Sequence, residues 1–512
     1  VNIFGLNYFL NLRFMHQSEP TKAKQFSFSL KALLIFLHRW LGVAMCLVFL
    51  LWFVSGIVMI FVQYPQFTEN ESLDNSVAIE FSRINLSPSE ALGRASVTEM
   101  PGNMSLLNVI GRPAYQFISP SRGYTTVFAD DGSFLRGVSE AQAMTTVEKS
   151  NFHDGQSAPE YGGVVNIDQW TISVPRADRP LHWISLGDAD DTVLYISSQR
   201  GRIVQDTTRK ERFWNWFGST IHWIYPLQIR QHASLWSNIV IYLSVVGLLS
   251  VLSGGIIGVL KLRVVKPLSG KFQSPYVGML KWHHLIGLFT MVIIFTFTFS
   301  GLMSMEPWGL FSTSTSARQQ VARYTGSSDV SLELLPDPRE LKDKDGVKEV
   351  QWKSILGHSY MVAVRDLDDS EVQIVDDSRL NEQKFLAARI VGAIPKLLPH
   401  ADLSELDIIS SYDNYYYSRH NSFRPLPIYR AKFNDDEGTW YHINSQTGEV
   451  INRLTKISRV QRWVYSALHN LDFSWLLSRP PLWYSVLMVL SMIGLFFSIT
   501  GIIIAWRRLR NL

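Results

Sequence analysis

The sequence predicts a membrane α-helical bundle: four transmembrane helices in two tandem repeats of parallel topology, carrying two α+β domains on the outer side. Three observations lead there. Four stretches are apolar over at least the roughly 20 residues a helix needs to cross a bilayer, short basic segments flank them on one side, and the second half repeats residues of the first at a constant spacing. Composition agrees. Of 512 residues 46% are hydrophobic, and 16 Trp and 29 Phe are many for a soluble chain but suit membrane interfaces.

Taken in order, residues 1–32 read as a cytoplasmic N-terminal segment, its first 14 as an upstream extension, because Met15 begins a more ordinary leader. Residues 33–62 form the first span, too long for a signal-peptide core and without a small-residue cleavage site, so an uncleaved anchor is expected. Residues 63–215 make the first outer domain with an interfacial helix, and 216–260 an interfacial segment and the second span. A cytoplasmic loop, 261–282, leads to the third span at 283–305. The second outer domain follows at 306–462, then an interfacial segment and fourth span at 463–506 and a cytoplasmic tail at 507–512. No span carries Asp or Glu in its interior.

Orientation comes from the flanks: Lys22, Lys24 and Lys31 before the first span, Lys261, Arg263, Lys266, Lys271 and Lys281 between the second and third, and Arg507, Arg508 and Arg510 after the fourth. Both termini and the middle loop are thereby cytoplasmic. In a bacterium with two membranes the outer segments then face the periplasm. Each holds β-rich runs punctuated by hairpin turns, as in TTVFADDGSFLRG from Thr125 and TWYHINSQTGEVINRL from Thr439.

Several classes are excluded. A net charge of +4 is too small to argue for nucleic acid. The single cysteine, Cys46, lies in an apolar stretch, so the polar domains have no internal disulfide, and no CxxCH can attach a haem covalently. No Walker loop is present, and Gly254, Gly255 and Gly258 sit inside a span rather than between a strand and a helix.

The repeat constrains the rest. His38-Arg39-Trp40-Leu41-Gly42 aligns with His283-His284-Leu285-Ile286-Gly287, and Ser55-Gly56 with Ser300-Gly301, at an offset of 245. A second block, His222, Trp236, Gly247 and Gly254, recurs as His469, Trp483, Gly494 and Gly501 at an offset of 247, preceded by the matching turns SSQRGRIV and NSQTGEVI. Each half enters and leaves on the cytoplasmic side, which predicts a pseudo-two-fold axis along the membrane normal. Equivalent residues then face one another: His38 with His283, and His222 with His469.

An imidazole in a membrane is costly unless it pairs or binds something. For one residue such as His38, an interfacial ring bonded to a backbone carbonyl is an adequate alternative. Recurrence at two depths in both halves shifts the reading to axial ligation of haem, which needs two imidazoles and little else, whereas zinc asks for a tighter cluster. Gly42 and Gly287, one turn from their histidines, admit either a flat macrocycle or a neighbouring helix. The register selects His283 and leaves His284 as a reserve ligand or propionate partner. His232 has no counterpart, and His16, His153, His182, His358, His400, His420 and His442 fall in polar or outer segments, where most are expected to be solvated. Trp40, Trp223, Trp236, Trp282 and Trp483 are accounted for by an interfacial aromatic belt.

The HRWLG entry, the Ser-Gly pair, the histidine before a Trp-led helix and the outer hairpins, over about residues 30–508, resemble PepSY-associated transmembrane proteins. The resemblance implies periplasmic PepSY-like domains on an iron-regulated inner-membrane protein, similar to di-haem ferric-siderophore reductases. It implies two non-covalent b-type haems, each bis-histidine, with iron ligands His38, His222, His283 and His469. The partners implied are a ferric siderophore or other periplasmic acceptor and a cytoplasmic or quinol donor. A different class stays open, a membrane-anchored PepSY binding module regulating a periplasmic partner such as a peptidase. A transporter ranks last, since no carboxylate lies within the spans.

Overall fold

Four long helices carry the fold. The computed structural model describes residues 30–119, 123–152, 155, 158–266, 271–313, 317–367, 370–373, 382–419 and 423–511. Met15, His16, Lys22, Lys24, His153 and His420 lie outside the described residues, as do the side chains of Arg263, Lys266 and Lys271. The helices are α1 (Leu30–Phe61), α2 (Ala233–Lys261), α3 (Gly278–Ser304) and α4 (Pro480–Arg510), each long and apolar enough to cross a membrane. The shortest has 27 residues, about 40 Å at 1.5 Å per residue, against a hydrocarbon core of about 30 Å. The chain is a multi-pass membrane protein.

Helix ends differ from the apolar runs read in the sequence. α3 begins at Gly278 rather than at His283, because backbone hydrogen bonding continues through Lys281 and Trp282 after the apolar run has ended. His283 is thereby held inside a formed helix.

The helices close into a ring: α1 packs on α2, α2 on α3, α3 on α4 and α4 on α1. Their inner faces are small and weakly polar, with Ser55, Ser244, Ser250, Ser253, Thr298, Ser300, Ser491, Ser498 and Thr500 buried. Many of these hydroxyls donate back to a carbonyl one turn earlier, as Ser244 does to Val240 and Ser498 to Gly494, each at 2.8 Å. Those polar hydrogens are then paired within their own helix, and the backbones can approach closely. Large side chains such as Leu51, Leu252, Phe289, Val292, Val489 and Phe496 point outward, as a lipid-facing surface requires.

The outer residues form three antiparallel sheets. In the first segment, β1 (Met104–Val109), β2 (Arg112–Ser119) and β3 (Gly123–Phe128) precede the helix Glu140–Glu148. Then β4 (Glu160–Val165), β5 (Leu181–Ser185), β6 (Val193–Ser197) and β7 (Ile203–Thr207) form a sheet in chain order. After a short hairpin between α2 and α3, β8 (Arg263–Lys266) with β9 (Lys271–Gln273), the second segment repeats the order. There β10 (Glu349–Ile355), β11 (His358–Val364) and β12 (Ser370–Gln373) precede the helix Glu382–Leu397 and the sheet β13 (Leu403–Ile409), β14 (Ile428–Phe433), β15 (Trp440–Asn444) and β16 (Val450–Leu454).

The two segments, read in the sequence as separate domains, share a sheet. β1 pairs antiparallel with β10, Met104 opposite Trp352 and Leu107 opposite Glu349, giving six strands in the order β12-β11-β10-β1-β2-β3. Each hairpin unit alone would expose a strand edge with unpaired backbone groups; joining β1 to β10 removes both edges. One core covers the seam, with Leu106, Tyr115, Trp352 and Met361 buried together and the Tyr115 and Trp352 rings 5.7 Å apart. Neither half completes this core alone.

Candidate functional site

Short helices at the outer ends of the bundle carry the first pair of histidines. Thr208 caps the helix Arg209–Phe217 through a reciprocal box with Glu211, and a further turn, Ser219–His222, ends at His222. Thr455 caps Lys456–Gln461 through a box with Ser458, after which a wide π-turn, Arg462–Ala467, delivers His469 on Leu468–Asn470. Such wide turns are frequent at functional sites.

Each ring lands on a Ser-Gly pair of the spanning helix of its own half. His222 Nδ1 lies 3.1 Å from Ser55 Oγ and 3.1 Å from the Trp52 carbonyl, and His469 Nδ1 lies 3.0 Å from Ser300 Oγ and 3.2 Å from the Phe297 carbonyl. Ser55 and Ser300 donate their own protons to carbonyls at 2.6 Å, those of Leu51 and Thr296. Each Nδ1 must therefore be the donor. A Cβ on Gly56 or Gly301 would stand 3.4 Å from the Cε1 of the histidine it faces, so each glycine lies directly against its ring.

The ring centres of His222 and His469 are 6.1 Å apart, their planes at 61°. Two imidazoles binding one metal ion through bonds of about 2 Å place their ring centres roughly 6 Å apart. Burial pushes both pKa values below the ordinary histidine range, so both rings stay neutral, and with Nδ1 protonated each Nε2 keeps its lone pair. Neither Nε2 makes a hydrogen bond among the described residues.

The backbone after each histidine is fixed identically. Ile224 and Leu471, two residues on, both adopt positive φ, 52° and 55°, a strained conformation for such side chains. The indole N–H of Trp236 donates to the Trp223 carbonyl and that of Trp483 to the Asn470 carbonyl, each at 2.8 Å. These two tryptophans are clamps on the residue following each histidine, so an aromatic belt alone does not account for them. Their recurrence at an offset of 247 was the signal.

The inner histidines lie on α1 and α3. His38 Nδ1 donates to the Ser250 carbonyl at 3.0 Å, and a Cβ on Gly254 would fall 2.4 Å from His38 Cε1. His283 Nδ1 lies 2.8 Å from Thr500 Oγ1, whose proton goes to the Phe497 carbonyl, and the ring stacks on Phe497 at 4.6 Å. Each of these rings is set against a neighbouring helix rather than against the other ring. In both, the Nδ1 bond again leaves Nε2 as the free acceptor. A Cβ on Gly42 would meet nothing within 4 Å, whereas one on Gly287 would meet Phe497 at 2.8 Å, so the two glycines differ: open space beside the first, helix packing at the second.

His284, the reserve ligand in the sequence, has neither nitrogen free. Its Nε2–H donates to the Gly258 carbonyl and its Nδ1 accepts from Ser274 Oγ, both at 2.8 Å, pinning the middle loop to the end of α2. His182 and His442 are buried and hydrogen-bonded rather than solvated, while His232, His358 and His400 are exposed.

Among the described residues no cluster of three or more His, Cys, Asp or Glu could hold a metal ion. The available donors come as imidazoles in twos. Such a set fits a group that supplies its own equatorial ligands and takes only axial ones from the protein.

The sequence profile of a family described as the PepSY-associated TM region matches residues 35–388, a stretch that contains His38, His222 and His283. No curated protein matches the chain.

Proposed function

The chain belongs to the PepSY-associated transmembrane family, and we propose that it is a haem-containing transmembrane oxidoreductase of a bacterial inner membrane. It passes electrons from the cytoplasmic side to a periplasmic acceptor, a ferric siderophore. One observation carries this reading: two imidazoles from the two halves, each with Nδ1 hydrogen-bonded and Nε2 free, stand with ring centres 6.1 Å apart.

His222 and His469 would hold the outer of two b-type haems, and His38 and His283 would hold the inner one. When bound, each haem would supply one-electron redox chemistry. The chain's own contribution is to orient and tune. The carbonyls of Trp52, Phe297 and Ser250 accept from the imidazole Nδ1–H groups, which fixes ring rotation and makes each Nε2 a stronger ligand. The helices exclude water, and the two halves enter and leave from the cytoplasm, so equivalent histidines lie at equal depth, His222 and His469 already facing one another. The outer segments shape the docking surface. One electron delivered there converts Fe(III) of the chelate to Fe(II), which hard-oxygen chelators hold poorly, so the iron is released. A quinol or a cytoplasmic reductant provides that electron.

The test is the absorption spectrum of the purified full chain, before and after reduction, with haem counted per polypeptide. Low-spin b-type bands and two haems are expected. In liposomes, an inner reductant should then drive ferrous iron from an external ferric chelate. A folded chain without haem bands would overturn the reading in favour of a membrane-anchored binding module.

A further inference from the structure

The second half carries a feature beside His469 that the ligand geometry does not use. Arg462 opens the π-turn that leads to His469, and its Nη2 donates to the Asp472 carbonyl. Its Nε and Nη1, however, are buried with no hydrogen-bond partner among the described residues. Arg419 Nη1 lies 3.6 Å from Asp472 Oδ2, while its buried Nε is likewise unpartnered. Asn470, adjacent to His469, has a buried Nδ2 without an acceptor. Arg419 also lies within electrostatic reach of the His469 ring.

Leaving buried donors unpaired is costly, and those of Arg462, Arg419 and Asn470 outnumber the one unpartnered acceptor among them, Asp472 Oδ1, so the grouping points to a further acceptor. Its charge follows from the cluster. Asp472, 1% exposed, accepts from Tyr417 Oη at 3.1 Å and offsets the guanidinium of Arg419, whose side chain is 37% exposed, which leaves the charge of Arg462 without an ion pair among the described residues. Arg462 is held with its charged end over the rings of Tyr417 and Trp463, at 5.7 and 4.3 Å, so it cannot swing freely into water. A planar anion accepting from fixed guanidinium N–H groups is the natural complement.

The first half carries a different cation there: Arg230 lies over the Tyr225 and Trp236 rings, with its Nε buried and unpartnered among the described residues. At the positions matching Arg462 and Asp472 stand Asn215 and Tyr225, and Asn215 is fully engaged, donating to the Gln63 and Glu211 carbonyls and accepting from Ser219.

We propose that Arg419 and Arg462, with Asn470, form a carboxylate cradle that takes a propionate of the outer haem and fixes its rotation toward the second half. This rests on the haem reading above. A carboxylate of the incoming chelate shares that chemistry, so the experiment is done without any acceptor present.

Haem per polypeptide and the midpoint potential of each haem are measured in purified full-length Arg419→Gln, Arg462→Gln and the double variant, with Arg462→Lys as the charge-retaining control. Each single change is expected to weaken outer-haem binding about tenfold or more, the double variant to approach one haem per chain, and any outer haem retained to shift to lower potential. Arg462→Lys should restore the potential better than the haem content. Folded glutamine variants with two haems at wild-type potentials would overturn the cradle while leaving the haem reading intact. Wild-type protein without haem would overturn both.

Discussion

His222 and His469 stand with their ring centres 6.1 Å apart although 247 positions separate them in the chain. Each reaches that place on its own short helix, and each is oriented by the carbonyl and serine hydroxyl of a different spanning helix. The pair exists only when both halves are assembled.

Replacing either member with alanine should therefore have the same effect as replacing both. His222→Ala, His469→Ala and the double variant are each expected to retain one haem per chain, as are His38→Ala, His283→Ala and their double. Haem counts and low-spin bands check this; single variants that keep both haems would refute the pairing across halves.

Ser55 and Ser300 should matter through the histidines rather than through the fold. Ser55→Ala and Ser300→Ala each remove one acceptor from an Nδ1–H while leaving the Trp52 or Phe297 carbonyl in place. Haem affinity is expected to fall about tenfold, with melting of the haem-free chain unchanged.

Trp236 and Trp483 separate a clamp from an interfacial anchor. Phenylalanine keeps the apolar ring but loses the N–H to the Trp223 or Asn470 carbonyl, a loss of about 1 kcal/mol. Thermal stability and haem retention should both fall in Trp236→Phe and Trp483→Phe. Trp282→Phe, at a position 59% exposed on the bundle, should change neither.

Gly254 and Gly501 occupy matching positions with opposite tolerance. A Cβ on Gly254 would lie 2.4 Å from His38 Cε1, which forces the ring off the Ser250 carbonyl; on Gly501 the nearest atoms are Cys46 Cβ at 3.6 Å and His283 Cε1 at 3.9 Å, ordinary contacts. Gly254→Ala should lose the inner haem and Gly501→Ala should keep it, as read by haem content.

Acid should weaken the second outer sheet through His442. This ring is 0% exposed, accepts from Arg430 Nε at 2.7 Å and donates to Asn452 Oδ1 at 2.7 Å. Burial first, then the Arg430 charge, pushes its pKa down to about 3 from 6.5. Between those values the unfolded chain binds the extra proton, so this stability is present above about pH 6.5 and is lost as pH falls toward the folded value. Unfolding of His442→Gln should depend less on pH over that interval.

The features that the sequence determined by itself are those encoded by local periodicity or by register. Span length follows from an apolar run, and the repeat offsets selected His38, His222, His283 and His469 from 13 histidines before any coordinates were considered. The Ser-Gly pairs were visible as repeats, but their task was not, because a contact between Ser55 and His222 at 3.1 Å spans 167 positions.

Tertiary structure alone decided the rest. That β1 joins β10 depends on two segments 245 residues apart burying each other's edges, a demand that neither segment's own pattern records. That His284 has both nitrogens engaged depends on the Gly258 carbonyl and Ser274 arriving from either side. Nothing in the sequence marks the guanidiniums beside His469; only packing reveals that Arg462 Nε and Nη1 and Arg419 Nε are buried without partners among the described residues. Residue type sets what a side chain can bind, and its surroundings set what remains free to be bound.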